Sequence, residues 1–462
     1  MKHLLALVLT LNYYCTTNAQ TFTSQNVNLL SRWEAVGEST TSWNGNLYAG
    51  VWGWYDAVKN REYAIVGGAS GYYFVDVTNK ANPVFCDSVK GNYPNAIWRE
   101  MKSYQHYAYL TSDDAANNFY TVDMQYLPDS VHVVSRKHST IEGSHTLFVD
   151  GDKLYLGIEK HGVNGGGYNT TTMSVYSLAN PANPVFLRSL NDDYPSNTNN
   201  VHDMYVRHDT VYASSSYGGL YIYKYNALLN KFEALSTLTV YDGAGYNHSS
   251  ALTPNGKKLV MCDEVPAALP IKIVDVSNIL SPDVDTTFDN GNTGATPHNP
   301  FIINDSTLIM SYYRDGIVIY DISDTKHPIR TGYYDSYPDA NTCNYCGSWG
   351  NYPFLPSGVV LNMDMKYGLF VLDISAALTT STKNIANDFS TKVTVYPNPT
   401  TQQVTVNVAN AKVAFVDMYG VTQLSTINSS PTIDIKTLNS GIYTVIIKTK
   451  TNTATKKLVV LN

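Results

Sequence analysis

Apolar and polar positions repeat along most of the chain with a period of about fifty residues. Each copy is a run of apolar residues, an Asp or a substitute, another apolar residue and then a turn. The clearest copies are Tyr73-Phe-Val-Asp-Val-Thr, Lys272-Ile-Val-Asp-Val-Ser, Val318-Ile-Tyr-Asp-Ile-Ser and Phe370-Val-Leu-Asp-Ile-Ser, with weaker copies around Asp123, Ser177 and Lys224. Such a period in a strand-rich chain predicts an array of small sheets. Seven copies predict an all-β, seven-bladed β-propeller.

The last copy lacks a strand that the earlier copies have. The sixth copy divides into four predicted strands, 298–303, 307–312, 316–322 and 329–334, but the seventh runs out after 374. The segment 27–36 resembles the fourth strand of other copies. We therefore expect this N-terminal strand to complete the last blade and close the ring, because an unpaired strand edge promotes aggregation.

The repeated Asp is expected to build turns rather than to bind a ligand. It follows the third strand of its copy and precedes Ser or Thr in the clearest copies. Asp side chains at such positions accept hydrogen bonds from nearby backbone N–H groups.

The first 19 residues predict a secretory signal peptide. A basic start is followed by a short apolar run and by Thr17-Asn18-Ala19, a small-residue cleavage site. A lipoprotein signal ending at Cys15 is the alternative, and the bulky Tyr13 and Tyr14 before it disfavour it. No other segment is apolar for long enough to predict a transmembrane helix. We expect an exported protein, either secreted or held at the outer cell surface.

The C-terminal region changes composition and then pattern. Residues 376–392 are rich in Ser, Thr, Ala, Asn and Lys and predict a linker. Residues 393–462 alternate as short strands and predict a small β-sandwich. Their Tyr396-Pro-Asn-Pro start, Gly441-Ile-Tyr-Thr-Val motif and Lys456-Lys-Leu-Val-Val end resemble a type A sorting domain of the type IX secretion system. That resemblance implies the secretion machinery as a partner, whereas an ordinary carbohydrate-binding sandwich is the alternative.

The repeats themselves, 20–375, resemble a second family. The recurring phrase is similar to the LVIVD repeat, and residues 28–375 resemble the exported family called choice-of-anchor B. Asp321-Ile-Ser-Asp, Gly347-Ser-Trp-Gly-Asn-Tyr-Pro and Gly368-Leu-Phe-Val-Leu carry this resemblance. It implies a propeller with an exchangeable C-terminal anchor, and it implies no reaction.

Charge narrows the classes of partner. The net charge is −7, and neither this balance nor any basic cluster supports nucleic-acid binding.

Four histidines occupy one position in four consecutive copies. His145, His202, His248 and His298 each open the predicted innermost strand of their copy, where Trp54, Trp98 and Asn351 stand in other copies. Innermost strands line the channel of a propeller, so the four imidazole groups are expected to form a ring. Such a ring can bind a divalent transition metal such as Zn²⁺, Cu²⁺ or Fe²⁺. The alternative is a structural ring that hydrogen-bonds backbone and water.

Several other side chains are candidates for the same site. Glu159 and Glu264 belong to second strands and are expected to orient imidazole groups; Asp203, beside His202, is a weaker candidate. Arg314 and Arg99 either bind an anionic ligand or form surface salt bridges.

The cysteines predict structure rather than catalysis. Cys343 and Cys346 are expected to form a local disulfide in an exported protein. Cys86 and Cys262 are expected to be buried free thiols.

Three functions remain open from the sequence. The first is a surface module that binds a protein, a glycan, a small ligand or a metal. The second is a metal-dependent enzyme, an oxidase, lyase or hydrolase, that uses the histidine ring. The third is a scaffold for surface display.

Overall fold

A computed structural model of the protein describes residues 22–384 and 393–461, except 97, 115, 137–139, 164–166, 197–198, 293, 340–342, 418–421 and 451–452. The chain divides into two compact units, Met1–Ala377 and Leu378–Asn462. The predicted signal peptide, 1–19, lies outside the described residues. Within them, no helix is long and apolar enough to cross a membrane.

The first unit consists almost entirely of antiparallel strands. Its first fourteen strands are β1 (Ser24–Gln25), β2 (Asn28–Trp33), β3 (Tyr48–Asp56), β4 (Arg61–Gly68), β5 (Gly71–Asp76), β6 (Val84–Lys90), β7 (Glu100–Tyr104), β8 (Tyr107–Thr111), β9 (Phe119–Asp123), β10 (His132–Ser135), β11 (Ile141–Asp150), β12 (Lys153–Gly162), β13 (Tyr168–Ser177) and β14 (Val185–Ser189). A one-turn helix, α1 (Leu190–Asp193), follows them.

The remaining strands of this unit continue the same pattern. They are β15 (Asp203–Arg207), β16 (Thr210–Ser214), β17 (Leu220–Asn226), β18 (Lys231–Leu238), β19 (Asn247–Leu252), β20 (Lys258–Asp263), β21 (Ile271–Asp275), β22 (Asp283–Phe288), β23 (Pro300–Asn304), β24 (Thr307–Ser311), β25 (Ile317–Asp321), β26 (Ile329–Tyr334), β27 (Ser348–Tyr352), β28 (Val360–Asp364) and β29 (Gly368–Asp373). The helix α2 (Ser375–Asn384) follows β29.

These strands form small sheets in sequence order. Five sheets have four consecutive strands each: β3–β6, β7–β10, β11–β14, β15–β18 and β19–β22. The strands β23–β26 form the sixth sheet with β1 added to β26, and β27–β29 form the seventh with β2 added to β29. We number the sheets 1 to 7 in this order. Small antiparallel sheets of this kind, repeated along the chain, make a β-propeller fold.

The hydrophobic core lies between neighbouring sheets. Tyr72 of sheet 1 and Leu110 of sheet 2 share one cluster of buried side chains, and the other pairs from sheet 2 to sheet 6 are joined in the same way. Val66 of sheet 1 also shares a cluster with Val371 of sheet 7. Sheets 1 to 5 thus each share a core with both neighbours, and burial of one such side chain contributes about 1.5–3 kcal/mol.

The N-terminal strand pairs as the repeat pattern predicts. β2 runs antiparallel to β29, with Asn28 opposite Asp373 and Trp33 opposite Leu369. It occupies the position of a fourth strand in sheet 7, so the first and last parts of the unit share one sheet.

The repeated Asp builds turns, as predicted. The side chains of Asp76, Asp275 and Asp321 each accept a hydrogen bond, 2.8 Å long, from the backbone N–H two residues later. The phrase that marks each copy is therefore a structural element of the sheet.

The second unit contains two further sheets. Its strands are β30 (Val395–Tyr396), β31 (Gln403–Val406), β32 (Lys412–Val416), β33 (Thr422–Ile427), β34 (Thr432–Asp434), β35 (Gly441–Lys448) and β36 (Thr453–Val460). The sheets β30-β31-β34 and β33-β32-β35-β36 share one core that includes Val404, Phe415 and Val445. This agrees with the predicted sandwich. The first residues of the predicted linker, 376–392, belong to α2.

The cysteines follow the sequence expectation with one exception. Cys343 and Cys346 form a disulfide, and Cys262 is a buried free thiol. Cys86 is free but only partly buried, so the expectation of a buried thiol there was wrong.

Candidate functional site

The structure brings the four predicted imidazole groups into one row. The ring centroids of His145 and His202 are 4.2 Å apart, those of His202 and His248 4.4 Å, and those of His248 and His298 4.2 Å. His202 and His298 lie just before the first strand of their sheets, His248 is the second residue of β19, and His145 lies within the longer β11. Four consecutive sheets thus supply one imidazole group each.

Two tryptophans continue this row. The Trp349 ring lies 4.3 Å from the His298 ring, and Trp98 stacks on Trp349 at 4.7 Å with an angle of 13° between the ring planes. The sequence correctly placed Trp98 here but wrongly chose Trp54 and Asn351. The Trp54 indole instead packs in the core and donates to a main-chain carbonyl, and Asn351 lies two residues beyond the position that Trp349 takes.

The row of rings lines a cavity of about 270 Å³. Next to the imidazole groups, the lining carries the ionisable side chains of Glu100, Lys102 and Asp203. Farther along the same strands, the lining is mostly apolar: Phe148, Tyr205, Leu252, Phe301 and Phe354. The cavity thus combines a polar, nitrogen-rich wall with an aromatic wall, which is the usual composition of a small-ligand site.

Hydrogen bonds fix the tautomers of three of the four imidazole groups. Nδ1 of His202 lies 3.2 Å from the main-chain oxygen of His248, and Nδ1 of His298 contacts the main-chain oxygen of Trp349. Because a carbonyl oxygen can only accept, Nδ1 carries the proton in both rings. Nδ1 of His145 lies 2.7 Å from a carboxylate oxygen of Asp113. In these rings Nε2 is left to bind another group, which is the arrangement found in metal-bound histidines.

The carboxylate of Glu264 lies close to two of the imidazole groups. Its two carboxylate oxygens lie 3.7 Å from Nε2 of His248 and 3.9 Å from Nε2 of His298. One ligand atom from each of the three residues falls within 4.8 Å of the others. A tetrahedral Zn²⁺ ion with bonds near 2 Å spaces its ligand atoms by about 3.3 Å, so the Glu264 oxygens would have to approach both imidazole groups by about 0.5 Å to share such an ion.

Tyr313 holds Glu264 in place, although no pattern along the chain indicated this contact. Its hydroxyl donates to Oε1 of Glu264 at 2.5 Å, and its ring lies 4.6 Å from that of His298. Burial, followed by the charge of Glu264, raises the pKa of Tyr313 well above its usual value. Its φ of 42° lies in a region that bulky residues rarely occupy, so the surrounding contacts must stabilise this conformation.

Burial and neighbouring charged groups shift the pKa values of three of the four imidazole groups. Burial first, and the neighbouring imidazole groups next, hold the pKa of His202 well below its ordinary value, and burial does the same for His298. Burial also lowers the pKa of His145, but the hydrogen bond and charge of Asp113 outweigh it, and the net shift is upward. His202 and His298 are therefore neutral near pH 7, the form in which imidazole binds metals.

Asp203 lines the cavity with a partly buried carboxyl group. One of its oxygens accepts from the hydroxyl of Thr146 at 3.0 Å and from its neighbour's backbone N–H. Burial raises its pKa above the ordinary value.

Glu159 does not reach the ring, which corrects the sequence expectation. It is fully buried within sheet 3, where it contacts Nδ1 of His161 at 3.1 Å and accepts hydrogen bonds from Tyr176 and Thr171. The reason is the length of β12, which continues past Glu159, whereas β20 ends before Glu264 and leaves that side chain at the ring.

The two candidate arginines, which were expected either to bind an anion or to form surface salt bridges, are both buried. Arg314 donates to the side chain of Asn344 at 3.3 Å and does not line the cavity. Arg99 donates to the main-chain oxygens of Gly68, Ala69 and Tyr93 and has a structural role.

The C-terminal unit matches a known family. Residues 394–461 match the secretion system C-terminal sorting domain. The protein is thus an exported protein that uses the type IX secretion system and reaches the cell surface or the medium. No curated protein shows a significant sequence match to the chain.

Several solved structures resemble the chain at low identity. PorZ, described as an essential bacterial surface component of the type IX secretion system of Porphyromonas gingivalis, is 12% identical with a TM-score of 0.46; the match covers 93% of this chain and 61% of PorZ. A putative 6-phosphogluconolactonase from Bacteroides uniformis is 12% identical over 79% of this chain and 95% of its own, with a TM-score of 0.47. The WD40 β-propeller domain of Doa1 is 9% identical over 75% and 96%, with a TM-score of 0.49.

Proposed function

We propose that the first unit is a seven-bladed β-propeller of the choice-of-anchor B type, closed by its N-terminal strand. The pairing of β2 with β29 and the core shared by sheets 1 and 7 support closure. The recurring LVIVD-like phrase supports the family. In this proposal the second unit delivers the propeller to the cell surface, where it acts as a binding module.

We further propose that the binding site is a divalent transition-metal centre at His248, His298 and Glu264. The observation that carries this proposal is the approach of one carboxylate to Nε2 of both imidazole groups. The remaining predicted ligands, His145 and His202, lie beside this trio in the same row. Two histidines and one carboxylate form a ligand set known for Zn²⁺ and for Fe²⁺, and they leave coordination positions open.

An open coordination position would let the metal take part in binding a small ligand. The cavity beside the imidazole groups is large enough for a small organic molecule, and its far wall is aromatic. We expect a ligand with an oxygen or nitrogen donor at one end and an apolar body at the other. A glycan or a protein segment that presents such a group would bind in the same way.

The test is metal binding by the purified full-length protein. Wild type, after removal of metal with a chelator, is titrated with Zn²⁺ by calorimetry and its metal content is measured by mass spectrometry. We expect one bound ion per chain, and we expect its loss in the double variant His248→Ala, His298→Ala. The control is His327→Ala, because this side chain is 81% exposed. A wild-type protein that takes up no Zn²⁺, Cu²⁺ or Fe²⁺ overturns the proposal.

A metal-dependent enzyme is the second candidate function. The observation that favours it is the place of Asp203 in the cavity lining beside the imidazole groups, where a carboxyl group can exchange a proton with a bound substrate. Lys102 lines the same cavity and supplies a positive charge. When bound, the metal would polarise a substrate oxygen. The test is turnover of a panel of lyase, hydrolase and oxidase substrates by the metal-loaded protein. Turnover that Asp203→Asn abolishes, while the metal stays bound, would support an enzyme.

A further inference from the structure

A lysine is buried in the core of the first unit at a position that is apolar or aromatic in comparable copies. Lys272 opens its copy of the repeated phrase, where Tyr73, Val318 and Phe370 open theirs. Its side chain is 0% exposed, and so is that of Asp263 on the neighbouring strand. Burying two charges costs several kcal/mol per ion unless their mutual geometry compensates for it.

The contact between these two side chains is close without being a hydrogen bond. Nζ of Lys272 lies 2.7 Å from Oδ2 of Asp263. Yet neither atom makes a hydrogen bond of acceptable geometry with the described residues. The other carboxylate oxygen, Oδ1, accepts two hydrogen bonds, from the Tyr241 hydroxyl at 2.8 Å and from the Gly245 backbone N–H at 3.1 Å.

This arrangement places a nucleophile beside a polarised carboxyl group. Donors aimed at one oxygen stabilise the negative charge that develops there when the carbon is attacked. An amine held against a carboxyl group, as Nζ is against Oδ2, reacts as an intramolecular nucleophile, which gives it a large effective concentration. Complete burial excludes the water that would reverse the reaction.

We propose that Lys272 and Asp263 form an intramolecular amide bond after the protein folds. Within the ion pair, a proton passes from Nζ to Oδ2, which leaves an amine and a carboxylic acid. The Nζ lone pair attacks Cγ, so that the Nζ–Cγ bond forms while Oδ1 takes the charge between Tyr241 and Gly245. A second proton from Nζ reaches Oδ2, the Cγ–Oδ2 bond breaks, and one water leaves. No oxidant, reductant or other reactant is needed.

The bond ties β20 covalently to β21 inside sheet 5. The ladder pairs Lys272 with Met261, and Asp263 lies two residues beyond Met261 on β20, so the cross-link runs diagonally between the two strands. A covalent tie between adjacent strands resists local opening, and local opening is what exposes an exported protein to proteases.

The test is the mass of the full-length protein, purified, reduced and denatured. We expect it to be lower than the sequence mass by one water molecule. We also expect trypsin to leave the bond after Lys272 uncut and to release a branched peptide whose fragments join Lys272 to Asp263. A protein of unaltered mass that trypsin cleaves after Lys272 overturns the proposal and leaves an ordinary buried ion pair.

Variants distinguish this reaction from other losses of water. Lys272→Met, which keeps an unbranched side chain without the amine, is expected to have the unaltered sequence mass. Asp263→Asn is expected to lose one ammonia in place of water, since the amine then displaces the amide nitrogen. Tyr241→Phe is expected to lower the cross-linked fraction. If Lys272→Met still loses water, the modification lies elsewhere and the assignment fails.

Discussion

His202 donates its Nδ1 hydrogen to the main-chain oxygen of His248, 3.2 Å away. The same bond recurs two sheets farther on, where His298 donates to Trp349. In both cases the main chain of one sheet fixes the tautomer of the histidine that belongs to the preceding sheet. The repeat therefore prepares Nε2 for binding without any dedicated side chain.

The first prediction concerns the residue that holds Glu264. Tyr313→Phe removes the hydroxyl that donates to this carboxylate and leaves the ring in place. Partners that orient metal ligands typically affect affinity 10–100-fold, so we expect the Zn²⁺ dissociation constant to rise by about that factor. Calorimetric titration measures it. Tyr55→Phe is the matched control, because its hydroxyl bonds the side chain of Asn60 at the surface. Equal affinities in wild type and Tyr313→Phe would contradict the proposed centre.

The second prediction concerns the buried guanidinium of Arg99. It donates to three main-chain oxygens and lies 4.9 Å from the centre of the Tyr72 ring. Arg99→Met removes these donors, although the Ala69 oxygen keeps the backbone N–H of Ala96, and we expect a loss of about 1–3 kcal/mol in the free energy of unfolding. Thermal unfolding measures the change. The control, Arg61→Met, removes a partly exposed partner of Asp76 and should shift the melting temperature little.

The third prediction concerns pH and Asp364, a fully buried carboxyl group in sheet 7. Burial raises its pKa from 3.8 to about 6. Between these values the folded state keeps a proton that the unfolded state has lost, so stability falls as pH rises through this window and is level above it. The difference is on the order of 3 kcal/mol.

Asp364→Asn removes this titration and keeps the shape of the side chain. We expect its melting temperature to change less than that of wild type between pH 4 and pH 7. Equal slopes for the two proteins in this range would show that the carboxyl group is not the cause.

The fourth prediction concerns the N-terminal strand. A chain that begins at residue 35 lacks β1 and β2, and the edge of β29 is then unpaired. We expect a lower melting temperature and concentration-dependent aggregation, because an open strand edge pairs with other chains. A chain that begins at residue 22 is the control, and light scattering with thermal unfolding distinguishes the two. A stable monomer from the shorter chain would contradict closure by β2.

Structural features that recur from one copy of the repeat to the next could be predicted from the sequence. The Asp turns, the pairing of the N-terminal strand and the positions of the four histidines all follow from superposing the copies. The C-terminal sandwich followed from alternation, and the disulfide from an exported CxxC.

The wrong predictions concern positions at which one copy of the repeat differs from the other copies. The innermost strand of the last copy begins at Ser348, earlier than its pattern indicated, so Trp349 takes the place expected of Asn351. Glu159 and Glu264 have similar places in sequence but differ because their strands end at different points. Asp113 and Tyr313 lie in turns, and only the folded chain shows that they meet His145 and Glu264.

The pairing of β2 with β29 also has a mechanical consequence. The chain leaves the first unit directly after β29, so any pull on a surface-anchored C-terminus enters the propeller through this strand. β29 lies between β28 and β2, with a ladder of hydrogen bonds on each side. A force along the axis of β29 would act in shear on its hydrogen bonds to both β28 and β2. Many hydrogen bonds would then share the force instead of breaking one after another. By pairing with β29, the N-terminal strand would thus help a protein tethered by its C-terminus to resist unfolding under force.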